Sequence, residues 1–219
     1  KVQYLPEYIK GYLEGVICAQ QKVYGYNFVE EVITENVQNE LQKYIKMRLD
    51  ERYGVPDTHL YANMVNAEIT ARDRENLLKA AANVGKVTLY SASKFSENKI
   101  EEKGIIDYEN GMPKVFRGSK INLNITLRSI TSGIPLRALD IMGAGGFLLS
   151  NYQPELAEYF VDGEDMVLFD SAEDMCWKLD YYLKHEEERK RIAKCGYEKI
   201  KKNFSYDVQL KKIMHLVSK

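Results

Sequence analysis

The texture of this 219-residue chain changes at Gly85, and that change constrains the fold more than any other feature. Beyond it, short apolar runs at 87–90, 104–107, 121–125, 147–150 and 166–169 alternate with stretches of helical periodicity at 112–118, 135–144, 154–160 and 173–183. Strands that alternate with helices call for a parallel sheet covered on both faces. In such sheets ligands bind beyond the carboxyl ends of the strands, near helix N-termini. Two further helices follow. The first, over 186–202, sets Glu186 against Lys190 and Glu187 against Arg191 at i,i+4 spacing, the mark of a solvated face. The second places Tyr206, Leu210, Ile213, Met214 and Val217 on one side, where they face either the local core or a surface outside it.

Residues 1–84 read as an all-helical segment. Leu5, Ile9, Tyr12, Leu13, Val16 and Ile17 recur at helical spacing, with Pro6 in the first turn. A second helix is expected over 27–47 on the stripe Phe28, Val32, Ile33, Val37, Leu41, Tyr44 and Ile45. The composition of 53–57 is that of a turn. Thr70-Ala71-Arg72-Asp73 reads as a new helix start. Apolar stripes of this kind serve burial. The expected division is therefore 1–84, helical, and 85–219, alternating strand and helix.

Composition excludes several function classes. A net charge of −1 gives no electrostatic reason to expect nucleic acid or an anionic membrane. No apolar run approaches the length of a membrane span. Cys18, Cys176 and Cys195 are odd in number and form no Cys-x-x-Cys, which argues against a disulfide framework or zinc site and for a reducing, cytoplasmic setting. His59, His185 and His215 stand at no metal-ligand spacing and beside no nucleophile, so a histidine-based hydrolase is disfavoured.

The chemistry concentrates in 119–160. A buried strand runs into the polar loop 126–133, and a helix opens at Pro135. Proline at a helix start leaves the next backbone N–H groups able to face an anion. Arg137 in that first turn can add a bidentate contact to phosphate, and Asp140, about one turn on, can accept both hydroxyls of a ribose. A second reading is open: Gly143, Gly145 and Gly146 end the helix, and Asp140 serves as a cap or pairs with a basic side chain.

Residues 133–151, Gly-Ile-Pro-Leu-Arg-Ala-Leu-Asp-Ile-Met-Gly-Ala-Gly-Gly-Phe-Leu-Leu-Ser-Asn, precede Glu155-Leu156 and Phe160-Val161-Asp162-Gly163. Together they resemble the C-terminal signature of family 1-like glycosyltransferases of the GT-B class, in particular the spore-maturation (CgeB-like) subgroup. The flanks agree: Gly104-Ile-Ile-Asp-Tyr108 and Met112-Pro-Lys-Val-Phe116 before it, and His185 to Arg189, Ile192-Ala193 and Gly196-Tyr197 after it. The resemblance covers about 85–219 and extends loosely to the helices before it. It implies a Rossmann-like parallel sheet with flanking helices, the nucleotide-sugar-binding C-terminal half of GT-B.

The resemblance also implies roles. Retaining GT-B enzymes carry Glu-x7-Glu at this junction. Asp140 stands at the second position, which binds the donor ribose, and Ser132 stands where the first glutamate would face the sugar. Arg137 matches an arginine of the subgroup and is assigned to the pyrophosphate, with Gly133 and Leu136 flanking it. Asn124, Thr126 and Arg128 line the adjacent loop as weaker candidates, and 105–107 would meet the base. Arg72 and Arg74 at a helix start are more remote phosphate candidates, with a surface ion pair the competing reading. There is no Asp-x-Asp, so no metal and no cofactor is implied; helix dipole and basic side chains take the charge of the leaving diphosphate. The expected partners are a nucleotide-diphosphate sugar donor, an acceptor, and an N-terminal GT-B half that this chain lacks. Catalysis is unassigned to any residue. The competing function is a non-catalytic binding module that kept the fold.

Overall fold

The computed structural model describes residues 5–45, 57–92, 94–95 and 97–218. They form two compact units: one of 1–75 with 127–131, the other of 76–126 with 132–219.

The first unit is helical. Helix α1 (Glu7–Gln21) follows Pro6, which sits at the N-cap. Helices α2 (Val29–Val32) and α3 (Glu35–Tyr44) come next, and α4 (Asp57–Val84) begins in this unit. Leu5, Ile9, Leu13, Val16 and Ile17 join Val29, Ile33, Leu41 and Ile45 in one core, which Tyr61, Ala62, Val65 and Ile69 of α4 complete at helical spacing. Tyr12, expected in the stripe, is exposed and donates from its hydroxyl to the Val32 carbonyl.

Two expectations fail here, for local reasons. The single helix over 27–47 is broken at Thr34, whose Oγ1 accepts from the Val37 N–H and starts α3 afresh. Positions 46 and 47 lie outside the described residues, as does the expected turn over 53–57 up to position 56. Conversely, Thr70 starts no new helix. Its hydroxyl donates back to the Asn66 carbonyl at 2.8 Å, and α4 runs straight through it.

The second unit is α/β with parallel strands, as the alternation requires. β1 (Val87–Leu89) pairs with β2 (Ile100–Glu102), both parallel. After α5 (Met112–Gly118), β3 (Asn122–Asn124), α6 (Leu136–Gly143), β4 (Leu148–Asn151), α7 (Pro154–Tyr159) and β5 (Val167–Phe169) alternate, giving a parallel sheet of order β3-β4-β5. Among the described residues the strands thus form two parallel sheets rather than one. The strand expected over 104–107 is absent; β2 forms earlier, and Gly104, at φ +71°, turns the chain out of it.

The β4 strand is buried along its whole length, as the centre of a parallel sheet should be. Ala138, Ile141 and Met142 of α6 pack with Leu148, Leu156, Phe160, Met166 and Leu168 to make the core. Helices α8 (Ala172–Lys184) and α9 (Glu186–Asn203) follow, and Ile200 of α9 joins that core. Gly196 allows the close approach of α9: a Cβ there would collide with the Asp165 carbonyl and press on Met142. On β3, amides replace aliphatic side chains. Asn122 donates to the carbonyls of Phe116 and Phe147, and Asn124 to Thr126 Oγ1 and Ser150 Oγ.

The Glu186–Lys190 pair forms at 2.7 Å, but Arg191 turns from Glu187 to the Gly163 carbonyl. Helix α10 (Tyr206–Val217) buries none of its residues. Tyr206, Leu210, Ile213, Met214 and Val217 are all exposed, so the face does not pack into this unit's core.

Candidate functional site

The carboxyl end of β3 leads through Thr126 toward Gly133, whose φ of +86° bends the chain into α6. Pro135 is buried at the N-cap, so the helix begins at Leu136, one position later than expected, and no side chain caps it. The first intrahelical bond runs from the Ala138 N–H to the Pro135 carbonyl. The N–H groups of Leu136 and Arg137 precede it and have no acceptor within the helix. Ser132, Gly133, Leu136 and Arg137 are all exposed. An exposed, uncapped helix start carries partial positive charge and suits an anion.

Arg137 lies across α5: its Nη1 touches Met112 Sδ, and its guanidinium stands 5.6 Å from the Phe116 ring centre. Asp140, one turn further on, is half-buried. Its Oδ2 accepts a hydrogen bond from the Tyr108 hydroxyl at 2.8 Å. The carboxylate holds the Tyr108 phenol above its ordinary pKa of 10, chiefly through that hydrogen bond and then through burial and charge. Among the described residues Asp140 neither caps the helix nor forms an ion pair.

The three glycines do end the helix. Gly145, at φ +78°, donates to the Met142 carbonyl and Gly146 to that of Ile141, the paired bonds of a Schellman stop. Gly146 also has no room for a side chain, since a Cβ would lie 2.7 Å from Phe116 O and Asn122 Nδ2.

The weaker candidates occupy different surroundings. Asn124 and Thr126 are buried in a polar network at the strand ends, where the Thr126 N–H also donates to Asn151 Oδ1 at 2.7 Å. Arg128 belongs to the helical unit. Its Nε meets Asp73 Oδ2 at 2.7 Å, its Nη groups reach the carbonyls of Val23 and Gln21, and its guanidinium stacks 4.4 Å over the Tyr24 ring. Arg72 bridges Glu14 and Glu68, and burial lowers the pKa of Arg74.

A family model described as "Glycosyl transferase-like" matches residues 72–215, well over half of the chain. The chain belongs to this glycosyl transferase-like family. Among solved structures it is similar to the C-terminal domain of a glycosyl transferase group 1 family protein from Francisella tularensis, at 24% identity and a TM-score of 0.42. That similarity covers 50% of this chain and 56% of that one, so the chain spans little more than half of the relative's length. No curated protein matches.

Tyr108, the hydrogen-bond partner of Asp140, follows the run 104–107 that periodicity marks as a strand, although Asp107-Tyr108-Glu109-Asn110-Gly111 has the composition of a turn. Asp107 Oδ1 accepts from the Asn110 N–H at 2.6 Å, and its carbonyl accepts from Gly111 and Met112. Among the described residues no group of three His, Cys, Asp or Glu side chains is arranged to hold a metal, and no helix is long and apolar enough to cross a membrane.

Proposed function

We propose that the chain is the donor-binding part of a glycosyltransferase of the CgeB-like subgroup, moving sugar from a nucleotide-diphosphate sugar with retention of configuration. The observation that carries this reading is the pair Arg137 and Asp140, one turn apart on the exposed, uncapped start of α6. The N–H groups of Leu136 and Arg137, with the Arg137 guanidinium, take the diphosphate. Asp140 takes the ribose hydroxyls. Gly133 lets the backbone approach, and Ser132 borders the sugar. Asn124, Thr126 and Arg128 shape the loop rather than touch the donor, because their polar groups are already engaged.

In this scheme α6 lowers the barrier by receiving the charge that grows on the departing diphosphate. Its dipole and Arg137 act without a metal. The division is a helical segment, 1–84, and a nucleotide-sugar-binding domain, 85–219. The acceptor binds chiefly to an N-terminal GT-B half, which this chain needs for transfer and which covers the exposed apolar face of α10.

UDP, GDP or ADP, or one of their sugars, should raise the melting temperature of the full-length protein, and Asp140→Ala should abolish the rise. If all of these ligands leave melting unchanged, there is no donor site. Ser132, in place of a glutamate, favours a second reading: a module that binds the nucleotide sugar without transferring it. Donor hydrolysis by the full-length protein supports transfer; binding with no turnover supports the module.

A further inference from the structure

We infer that Tyr108 is a positioning residue for Asp140, orienting its carboxylate so that the site selects a ribonucleoside diphosphate over the 2′-deoxy analogue. The inference rests on α6 being the donor-nucleotide site.

An aspartate at the surface of a short helix has a broad, soft χ2, so its carboxylate plane is poorly fixed on its own. Here the Tyr108 hydroxyl donates to Oδ2 at 2.8 Å and removes that freedom before any ligand arrives. A carboxylate has about four acceptor positions, so one phenol leaves Oδ1 and half of Oδ2 for a vicinal diol. Freezing the acceptor in advance reduces the entropy lost on binding.

The phenol is itself delivered by a stiff turn. Asp107 closes that turn with its side chain on the Asn110 N–H and its carbonyl on Gly111 and Met112. Gly111 lies so close that a Cβ there would sit 2.9 Å from the Asp107 carbonyl oxygen. Met112, the next residue, touches Arg137. One turn therefore meets both functional side chains of α6. The hydroxyl has a single proton, and the neighbouring carboxylate keeps it in place by pushing the phenol pKa up.

The test is calorimetric titration of the full-length protein with UDP, GDP and ADP, their 2′-deoxy counterparts, and inorganic pyrophosphate. Wild type should prefer the ribonucleotide by about tenfold or more, as expected for diol hydrogen bonds to a charged acceptor. Tyr108→Phe should cut that preference about fivefold, the worth of one hydrogen bond, and leave pyrophosphate binding unchanged. Asp140→Ala should erase the preference, and the double variant should behave like Asp140→Ala alone. Unchanged preference in Tyr108→Phe overturns the inference while the site stands. Tighter ribonucleotide binding in that variant overturns it too, because Tyr108 would then compete with the ligand. Absence of all nucleotide binding, or a preference that survives Asp140→Ala, overturns the inference and the donor site together.

Discussion

Arg128 and Arg137 leave the same stretch of chain, one before and one after the bend at Gly133, yet the protein treats them in opposite ways. The Arg128 side chain is 6% exposed and faces Asp73, itself 8% exposed, with backbone carbonyls and an aromatic ring around the rest of the guanidinium. Arg137 is exposed, rests on a thioether and a phenyl ring, and forms no ion pair among the described residues. A buried guanidinium must have its hydrogen bonds met by the protein, so its chemistry is spent on the fold. An exposed one resting on apolar groups retains its donors for an incoming anion. Sequence motif alone does not separate these cases; burial and partners do.

The comparison breaks most sharply at Arg128. Arg128→Ala leaves Asp73 buried without its cation and should cost about 3–5 kcal/mol in denaturant unfolding. A loss under 1 kcal/mol would mean that the pair is solvated and the contrast false. Arg137→Ala should do the reverse: unfolding stability stays within about 0.5 kcal/mol. Affinity for the nucleoside diphosphate should meanwhile fall about tenfold to a hundredfold by calorimetry, in keeping with about 1.5–3 kcal/mol for charged hydrogen bonds.

Thr70→Val sharpens the same contrast at the backbone. Thr70 Oγ1 accepts from the Arg128 N–H at 3.0 Å in a buried setting. Removing it should cost roughly 1–3 kcal/mol and speed hydrogen exchange at the Arg128 amide; unchanged exchange would take Thr70 out of the anchor.

The smallest effect lies among exposed charges. Lys103 and then Lys86 hold Glu101 at about 2, below its ordinary 4.5. A folded pKa below the unfolded one stabilises above the ordinary value and loses that benefit as pH falls toward 2. The carboxyl resonance of Glu101 should titrate near 2, and Lys103→Ala should move it upward, with little change in melting because the pair is solvated. Titration at the ordinary value in the intact protein would dissolve the pair.

Much of the fold was legible because its signals are local. Helical periodicity over 112–118, 154–160 and 173–183 marked α5, α7 and α8, the glycines at 145 and 146 marked the end of α6, and short apolar runs marked most strands. What escaped depended on distant partners. Thr70 has the chemistry of a cap, but it bonds to Asn66 and Arg128 instead. The run 104–107 is apolar enough for a strand, but the left-handed Gly104 and the Asp107 side chain turn it. At the site, Arg137 and Asp140 could be paired from helical spacing. Tyr108 could not, because a hydrogen bond across 32 positions leaves no periodic trace.

The amides of β3 have a consequence for assembly. An aliphatic strand can slide against its neighbour and still find apolar company, so its alignment is weakly checked. Asn122 and Asn124 instead require the Phe116 and Phe147 carbonyls and the hydroxyls of Thr126 and Ser150. A slip of one position against β4 turns every side chain to the opposite face and parts Asn122 from the Phe147 carbonyl and Asn124 from Ser150, at about 1–3 kcal/mol for each buried group left unmatched. It would also move the end of β3, from which the loop toward α6 leaves, about 3.3 Å along the sheet. The two amides thus proofread the strand, rejecting misaligned sheets before the helix they deliver can be misplaced.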